Sequence, residues 1–353
     1  MKTFRRLAFI AALAWHMAAA AQEDSALPCP PKDAACLFKA LHAHPVRRLA
    51  AWEKTMAEPL VERIAPASPQ LLEYLLWDNV ANGFPNRPKA AAPQGNFVAE
   101  VKAALAELPR DVQLLFVNRL AGIALVDDLG GTGYTDVVID AGERPVAGYI
   151  VLDAAVLERL TANEWATWKE RSPFRPDASC ELEARIEANT QDSRRNAIQY
   201  ILLHELGHVL SIGNDVHPPW TVEPRDGGPD EAYPFFQLSW RTEGNKHVTL
   251  FDESFPLRSE VAYYFGAKLP AARMAETYSQ LAKTNFPSLY AATRPGDDFA
   301  ESFASYVHVV MMKRPWEIVL RRAGHDDVVF ASCWDEPRCA AKRKLLDAIV
   351  ARP

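Results

Sequence analysis

The chain carries no excess of positive charge: 39 Lys and Arg stand against 45 Asp and Glu in 353 residues, a formal net charge of −6. That balance gives no electrostatic reason to expect nucleic acid or an anionic membrane as partner. There is no internal repeat and no low-complexity tract, which excludes fibrous and repeat classes. With 49% hydrophobic and 24% charged residues the chain is also not a disordered one. Beyond the N-terminus no apolar run is long enough to span a bilayer, so no stable membrane insertion is expected of the mature protein. The length permits one large or two modest domains.

What is present at the N-terminus sets the compartment. Lys2, Arg5 and Arg6 form a basic head, Leu7 to Ala20 is an apolar stretch, and Ala18 to Ala21 are all small. This pattern predicts a signal peptide over residues 1–21, cut after Ala21, and a secreted or periplasmic protein. Losing those three cations takes the net charge from −6 to −9. All five cysteines follow the cut. In an oxidising compartment Cys29 with Cys36 and Cys333 with Cys339 are the local pairings, and cross-pairing between the two ends stays open. Cys180 is then left over as a buried thiol. No two cysteines have zinc-knuckle spacing, so a structural zinc site made of them is not expected.

Residues 22–108 read as a helical N-terminal region. Leu49, Trp52, Met56 and Leu60 recur at helical spacing, and Ser68-Pro69 opens a second helix. Proline-rich residues 84–95 look like a connector, and Asn96 and Pro109 each open a helix. From 109 to 353 the pattern predicts a catalytic domain. It begins with β-prone runs at Ile123 to Val126, Val137 to Asp140 and Val146 to Asp153. Gly130-Gly131-Thr132-Gly133 between them lacks the Lys-Ser/Thr of a phosphate loop and reads as a turn. Helical character then dominates Asn189 to Ile212, residues 269–284 and residues 297–313. Residues 213–260 look like long loops. Strands first and long helices later predict an α+β fold.

One stretch carries chemistry. His204-Glu205-Leu206-Gly207-His208 sits inside an apolar helical run. Residues four apart lie one turn apart, so His204 and His208 present imidazoles to a common point. Two such ligands and one more leave a tetrahedral position open for water, the arrangement of a catalytic Zn2+. Glu205 adjoins the first ligand and is placed to remove a proton from that water as it attacks a carbonyl. Ile201, Leu202, Leu203, Leu206, Val209 and Leu210 bury most of the helix. His204, Glu205 and His208 would be costly there unless paired with one another or with a metal.

For the third ligand the residues leave alternatives. Asp215 and His217 follow the motif closely but out of register, and Glu260 lacks context. Glu301 is the better candidate. It lies in a predicted helix where Phe299, Phe303, Val307 and Val310 form an apolar stripe. Asp297, Glu301, Ser305 and His308 form a polar line on another face, otherwise readable as a solvated side.

His204-Glu205-Leu206-Gly207-His208 followed by Asp298-Phe299-Ala300-Glu301-Ser302-Phe303 resembles the gluzincin class of zinc metallopeptidases. The second segment is similar to the glutamate helix in the catalytic domain of anthrax lethal factor and its relatives. The resemblance implies a zincin fold, with the active-site helix under a small twisted sheet whose edge strand binds extended peptide. It implies His204, His208 and Glu301 as zinc ligands, Glu205 as general base, and Asp297 or Asp298 as an outer partner of a ligand imidazole. It also implies Tyr290 as the oxyanion-stabilising phenol, although Tyr290 stands farther from Glu301 than its counterpart does in that family. Val146 to Asp153 is the expected substrate-binding edge strand, with an interior strand as the alternative reading of so apolar a run.

The expected function is an exported zinc metallopeptidase acting on a peptide or protein substrate. A zinc amidase or esterase acting on a non-peptide substrate, such as a cell-wall component, would need the same residues. A silent zincin-fold binding protein is the reading from another class, and the intact Glu205 argues against it.

Overall fold

The computed structural model describes residues 27–352 except 31, 94, 265 and 323. The expected signal segment, residues 1–21, lies outside the described residues. The architecture is mixed α+β, and its main sheet has five strands. These are β1 (Ile64–Pro66), β2 (Lys89–Ala90), β3 (Leu120–Asp127), β4 (Gly133–Ile139) and β5 (Pro145–Asp153). They run in the order β1-β3-β5-β4, with β2 a short addition to β3. β1, β3 and β5 are parallel, whereas β4 returns antiparallel along β5.

This order corrects one expectation. Val146 to Asp153 falls in β5, which is paired on both sides and is interior; the edge strands are β1 and, next to β5, β4. The physical reason is legible in burial. The last seven residues of β5 are buried, because both of its faces are covered. β4 opens instead on half-exposed Gly133, Tyr134 and Thr135.

Two helical layers sandwich the sheet. Helices α1 (Ala34–Ala43) and α2 (Pro69–Ala81) put Leu41, Leu71, Tyr74 and Leu75 against Ala124, Val126, Tyr149 and Val151 on one face. On the other face Ile123, Leu125, Ile150 and Leu152 join a larger core with α3 (Phe97–Ala106) and α6 (Arg194–Ser211). Alternation along each strand makes this division, since successive side chains point to opposite faces. The boundary expected between residues 108 and 109 is not a break in packing. β1 from the N-terminal region pairs with β3, Ile64 opposite Ile123, and α3 packs on α6.

The helical reading of the N-terminal region also needs correction in its middle. Leu49 to Leu60 breaks into short turns, and Ile64–Pro66 is a strand. Buried Arg63 organises this stretch by donating to the carbonyls of Met56, Glu58, Val117 and Leu120. A guanidinium has donors enough to replace the helical bonds that Pro59 interrupts.

α4 (Arg110–Phe116) leads into β3, and α5 (Ala162–Arg171) leads from the main sheet toward β6 (Cys180–Arg185). The 213–260 segment is mostly turns, with a hairpin of β7 (Trp240–Glu243) and β8 (Lys246–Thr249). α7 (Met274–Leu281) and α8 (Pro295–Ser305) follow, close to where periodicity placed them. β9 (Glu317–Arg322) pairs with β6 and with β10 (Val328–Ala331), and α9 (Ala340–Val350) closes the chain. Both local cysteine pairs form disulfides, Cys29–Cys36 and Cys333–Cys339. Cys180 is free and half-buried rather than fully buried. Among the described residues no helix is long and apolar enough to cross a membrane.

Candidate metal centre

α6 is the scaffold of the site. Ser193 caps it by accepting from the backbone N–H of Asn196, and the chain leaves it through Gly213 in the left-handed region at φ +68°. Apolar side chains bury most of its surface, so its position against the sheet is fixed on several sides. α8 crosses it closely and brings its first turns beside the two histidines.

His204 Nε2 and His208 Nε2 converge to 3.2 Å, and Asp297 Oδ1 lies 3.5 Å from His208 Nε2. All three ligand atoms lie within 4.8 Å of one another. Tetrahedral coordination with bonds of about 2.05 Å has ligand-to-ligand edges of about 3.3 Å. The two measured separations bracket that edge, and the donor set of two imidazoles and a carboxylate suits a divalent metal. The other Asp297 oxygen, Oδ2, is held by Arg294 Nε at 2.8 Å and by the Thr293 hydroxyl at 3.1 Å. Burial alone would raise the Asp297 carboxyl, but His208 and Arg294 outweigh it and hold the group at about 2.

Glu301, the expected third ligand, is placed differently. Its Oε1 lies 3.0 Å from His204 Nδ1, the ring nitrogen turned away from His208, and 2.6 Å from Lys169 Nζ. Its Oε2 accepts from the Ser288 hydroxyl at 2.7 Å. The His204 contact is close but off-axis, an ion-pair contact rather than a directed hydrogen bond. Burial would raise the Glu301 carboxyl; Lys169 and His204 reverse this and hold it well below the usual carboxylate range. The same contact raises the His204 imidazole although burial opposes it. Thus Asp297 lies among the converging His204 and His208 atoms, whereas Glu301 approaches the other nitrogen of His204.

Asp298 does not face the centre. Its carboxylate pairs with Lys342 of α9 and accepts from Trp240 Nε1, and both charged residues are fully buried. Among the other candidates, Glu260 is half-exposed beside Arg273, and Asp215 lines a separate groove with Leu115 and Arg119. His217 is buried near the centre with its Nδ1 donating to the Pro218 carbonyl. Burial lowers it to about 4, so it is neutral at pH 7. The polar line on α8 is not solvated: Asp297, Glu301, Ser305 and His308 are all buried.

Glu205 sits between the centre and the edge strand. Its Oε2 accepts from the Thr135 hydroxyl of β4 at 2.6 Å. Its Oε1 fills the space where a β-carbon of Gly133 would stand, 2.5 Å away. Tyr290 lines the same space as Glu205, its ring 5.6 Å from that of His204, with burial raising its hydroxyl well above the ordinary value. It therefore stays a hydrogen-bond donor at neutral pH. Two cavities of about 350 and 510 Å³ meet here, and His204, Glu205, Tyr290 and Arg294 line both. The first is walled by Asn79 and Asn82 from the α2 segment; Trp220 helps wall the second.

No protein-family model, curated protein or solved structure matches the chain. Sequence reasoning missed Thr135, Arg294 and Lys169 as members of this neighbourhood. Arg294 had a weak signal, three residues before Asp297 at the head of a helix. Thr135 and Lys169 had none, because only the sheet and α5 bring them to α6.

Proposed function

We propose that the protein is an exported zinc-dependent metallopeptidase, with His204, His208 and Asp297 holding the ion and Glu205 as general base. The observation that carries the reading is the convergence of two imidazoles and one carboxylate within 4.8 Å, two of the three separations being 3.2 and 3.5 Å, on a helix that also carries Glu205. Bound zinc supplies Lewis acidity, polarising the scissile carbonyl and acidifying water. The chain's own groups do the rest. Glu205, with one oxygen anchored by Thr135, accepts a proton at Oε1 and later returns it to the leaving amine. Tyr290 donates its hydroxyl hydrogen where the carbonyl oxygen gains negative charge.

Taking Asp297 as the third ligand puts Tyr290 seven residues before the ligand instead of eleven, which removes the long spacing noted for Glu301. Peptide binding is supported by β4, an edge strand lying against α6; its far end is bridged at Ile139 by Arg48, and its half-exposed Gly133-to-Thr135 end lies beside Glu205, where an extended chain could pair. Two cavities lined by His204, Glu205, Tyr290 and Arg294 leave room for substrate residues beside the centre. Export is supported by the two disulfides.

The test is metal analysis of purified protein with a peptide-library digest read by mass spectrometry, alongside a cell-wall digest. We expect one zinc per chain, peptide cleavage, and loss of cleavage without loss of zinc in Glu205→Gln. Release of cell-wall fragments alone would make the enzyme an amidase. Zinc-loaded protein without turnover on either substrate would make it a binding protein.

A further inference from the structure

We propose that Lys169 is a positioning residue for the metal centre, acting on His204 through Glu301; the inference rests on the metallopeptidase reading above. Lys169 lies on α5 and is only 4% exposed. Its ammonium stands 2.6 Å from Glu301 Oε1, the oxygen that lies 3.0 Å from His204 Nδ1. Ser288 occupies the other oxygen of the same carboxylate. Three segments distant in sequence therefore meet on one side chain, whose remaining neighbour is the ring of a metal ligand.

The ammonium is itself fixed. Its nitrogen lies 4.6 Å from the centre of the Tyr290 ring and 5.5 Å from that of Trp165, within cation–π range of both. Glu170 Oε1 is 4.0 Å away, and Tyr263 and Tyr278 donate to Glu170 Oε2 at 3.0 and 2.8 Å. This polar chain runs from α7 through α5 and Glu301 of α8 to His204 of α6 at the metal centre.

Stability alone does not account for such a chain, since a buried ion pair is often no better than apolar side chains of the same volume. Its geometry supplies a reason. A metal-binding imidazole must present the lone pair of one nitrogen, and an acceptor at the other nitrogen selects that tautomer. Glu301 Oε1, although off-axis for a directed hydrogen bond, is the negative charge 3.0 Å from Nδ1 that favours a proton there, and Lys169 determines where that oxygen stands. Without the ammonium the oxygen loses its strongest anchor and the His204 ring loses its orientation.

The experiment compares wild type with Lys169→Met, Glu301→Gln and the double variant. Zinc dissociation constants are measured by competition with a chelating dye, and ligand geometry is read from the absorption spectrum of the cobalt-loaded protein. Each single change is expected to weaken zinc binding about 10- to 100-fold, as loss of an outer partner does, and to shift the cobalt spectrum. The double variant should be no weaker than the worse single, because both residues act along one path. A wild-type zinc constant in Lys169→Met, or losses that multiply in the double variant, would overturn the proposal. If Lys169→Met does not fold, Glu301→Gln against the double variant decides: equal constants support it, and a further tenfold loss sinks it. A wild-type chain that binds no zinc removes the metallopeptidase reading and this proposal together. Unchanged affinity in Lys169→Met beside a zinc-binding wild type removes this proposal alone.

Discussion

Gly207 of α6 packs directly on Ala300 of α8: a β-carbon at position 207 would lie 2.7 Å from Ala300 Cα and 3.1 Å from its carbonyl oxygen. Gly207 lies between His204 and His208, and Ala300 between Asp297 and Glu301. The closest approach of the two helices is thus centred within both pairs of polar residues. Backbone contact leaves no room for a side chain and brings the first turn of α8 within reach of the imidazoles.

Gly207→Ala should separate the helices, at a cost of about 1–3 kcal/mol for overpacking. Because the separation acts on the Asp297-to-His208 distance, zinc affinity should fall as well. Urea unfolding and zinc titration measure the two effects. Lost stability with unchanged affinity would show that the site tolerates a wider crossing.

Gly133→Ala acts on the base and not on the ligands. The added methyl competes for the space of Glu205 Oε1, the mobile end of a side chain, so folding should be little affected. Displacing the carboxylate should lower kcat by roughly 10²-fold, within the usual worth of a general base. Zinc content should stay at the wild-type level. A variant as active as wild type would mean that Glu205 works from another position.

Asp297→Ala is expected to abolish stoichiometric zinc binding, because it removes one of the three converging ligand atoms. Asp298→Asn, next in the chain, should instead destabilise the fold by about 3–5 kcal/mol, the cost of breaking a buried pair, here with Lys342. Metal analysis and denaturant midpoints separate the two. Full zinc retention in Asp297→Ala would return the third-ligand role to another residue.

Tyr290→Phe removes the hydroxyl and leaves the ring beside His204. If the phenol stabilises the oxyanion, kcat should fall about 10²- to 10³-fold with KM nearly unchanged. A change confined to KM would assign Tyr290 to substrate binding.

His308 gives the fold a pH dependence. Its Nε2 donates to the Ile186 and Pro315 carbonyls, and burial lowers the imidazole from 6.5 to about 4. Between those values the unfolded chain takes up a proton that the folded chain refuses. Stability is therefore full above pH 6.5, declines as pH falls toward 4 and loses nothing further from this group below that. The contribution is about 3 kcal/mol. Urea midpoints across this range should slope less steeply in His308→Gln than in wild type; parallel slopes would exclude the role.

Much of this chain was legible without coordinates. The three principal strands, the α6 helix and the α8 helix followed from periodicity, and the two disulfides are the local pairings, one of the two options the cysteine spacing left open. Helical spacing put His204, Glu205 and His208 on one turn. It also put Asp297 and Glu301 on one face, four residues apart, and from that line the sequence reading takes Glu301 as the third ligand and leaves Asp297 as an outer partner. The choice depends on how far along α8 the helices cross, which Gly207 and Ala300 set.

The sequence by itself determined the local elements and the residue types of the centre, because backbone periodicity and side-chain chemistry are properties of a few consecutive residues. Only the tertiary structure decided which strand is the edge, which carboxylate faces the histidines, and that Lys169 and Thr135 belong beside them. Those outcomes depend on contacts between segments tens to more than a hundred residues apart, where helix crossing and sheet order, rather than spacing, fix what touches what.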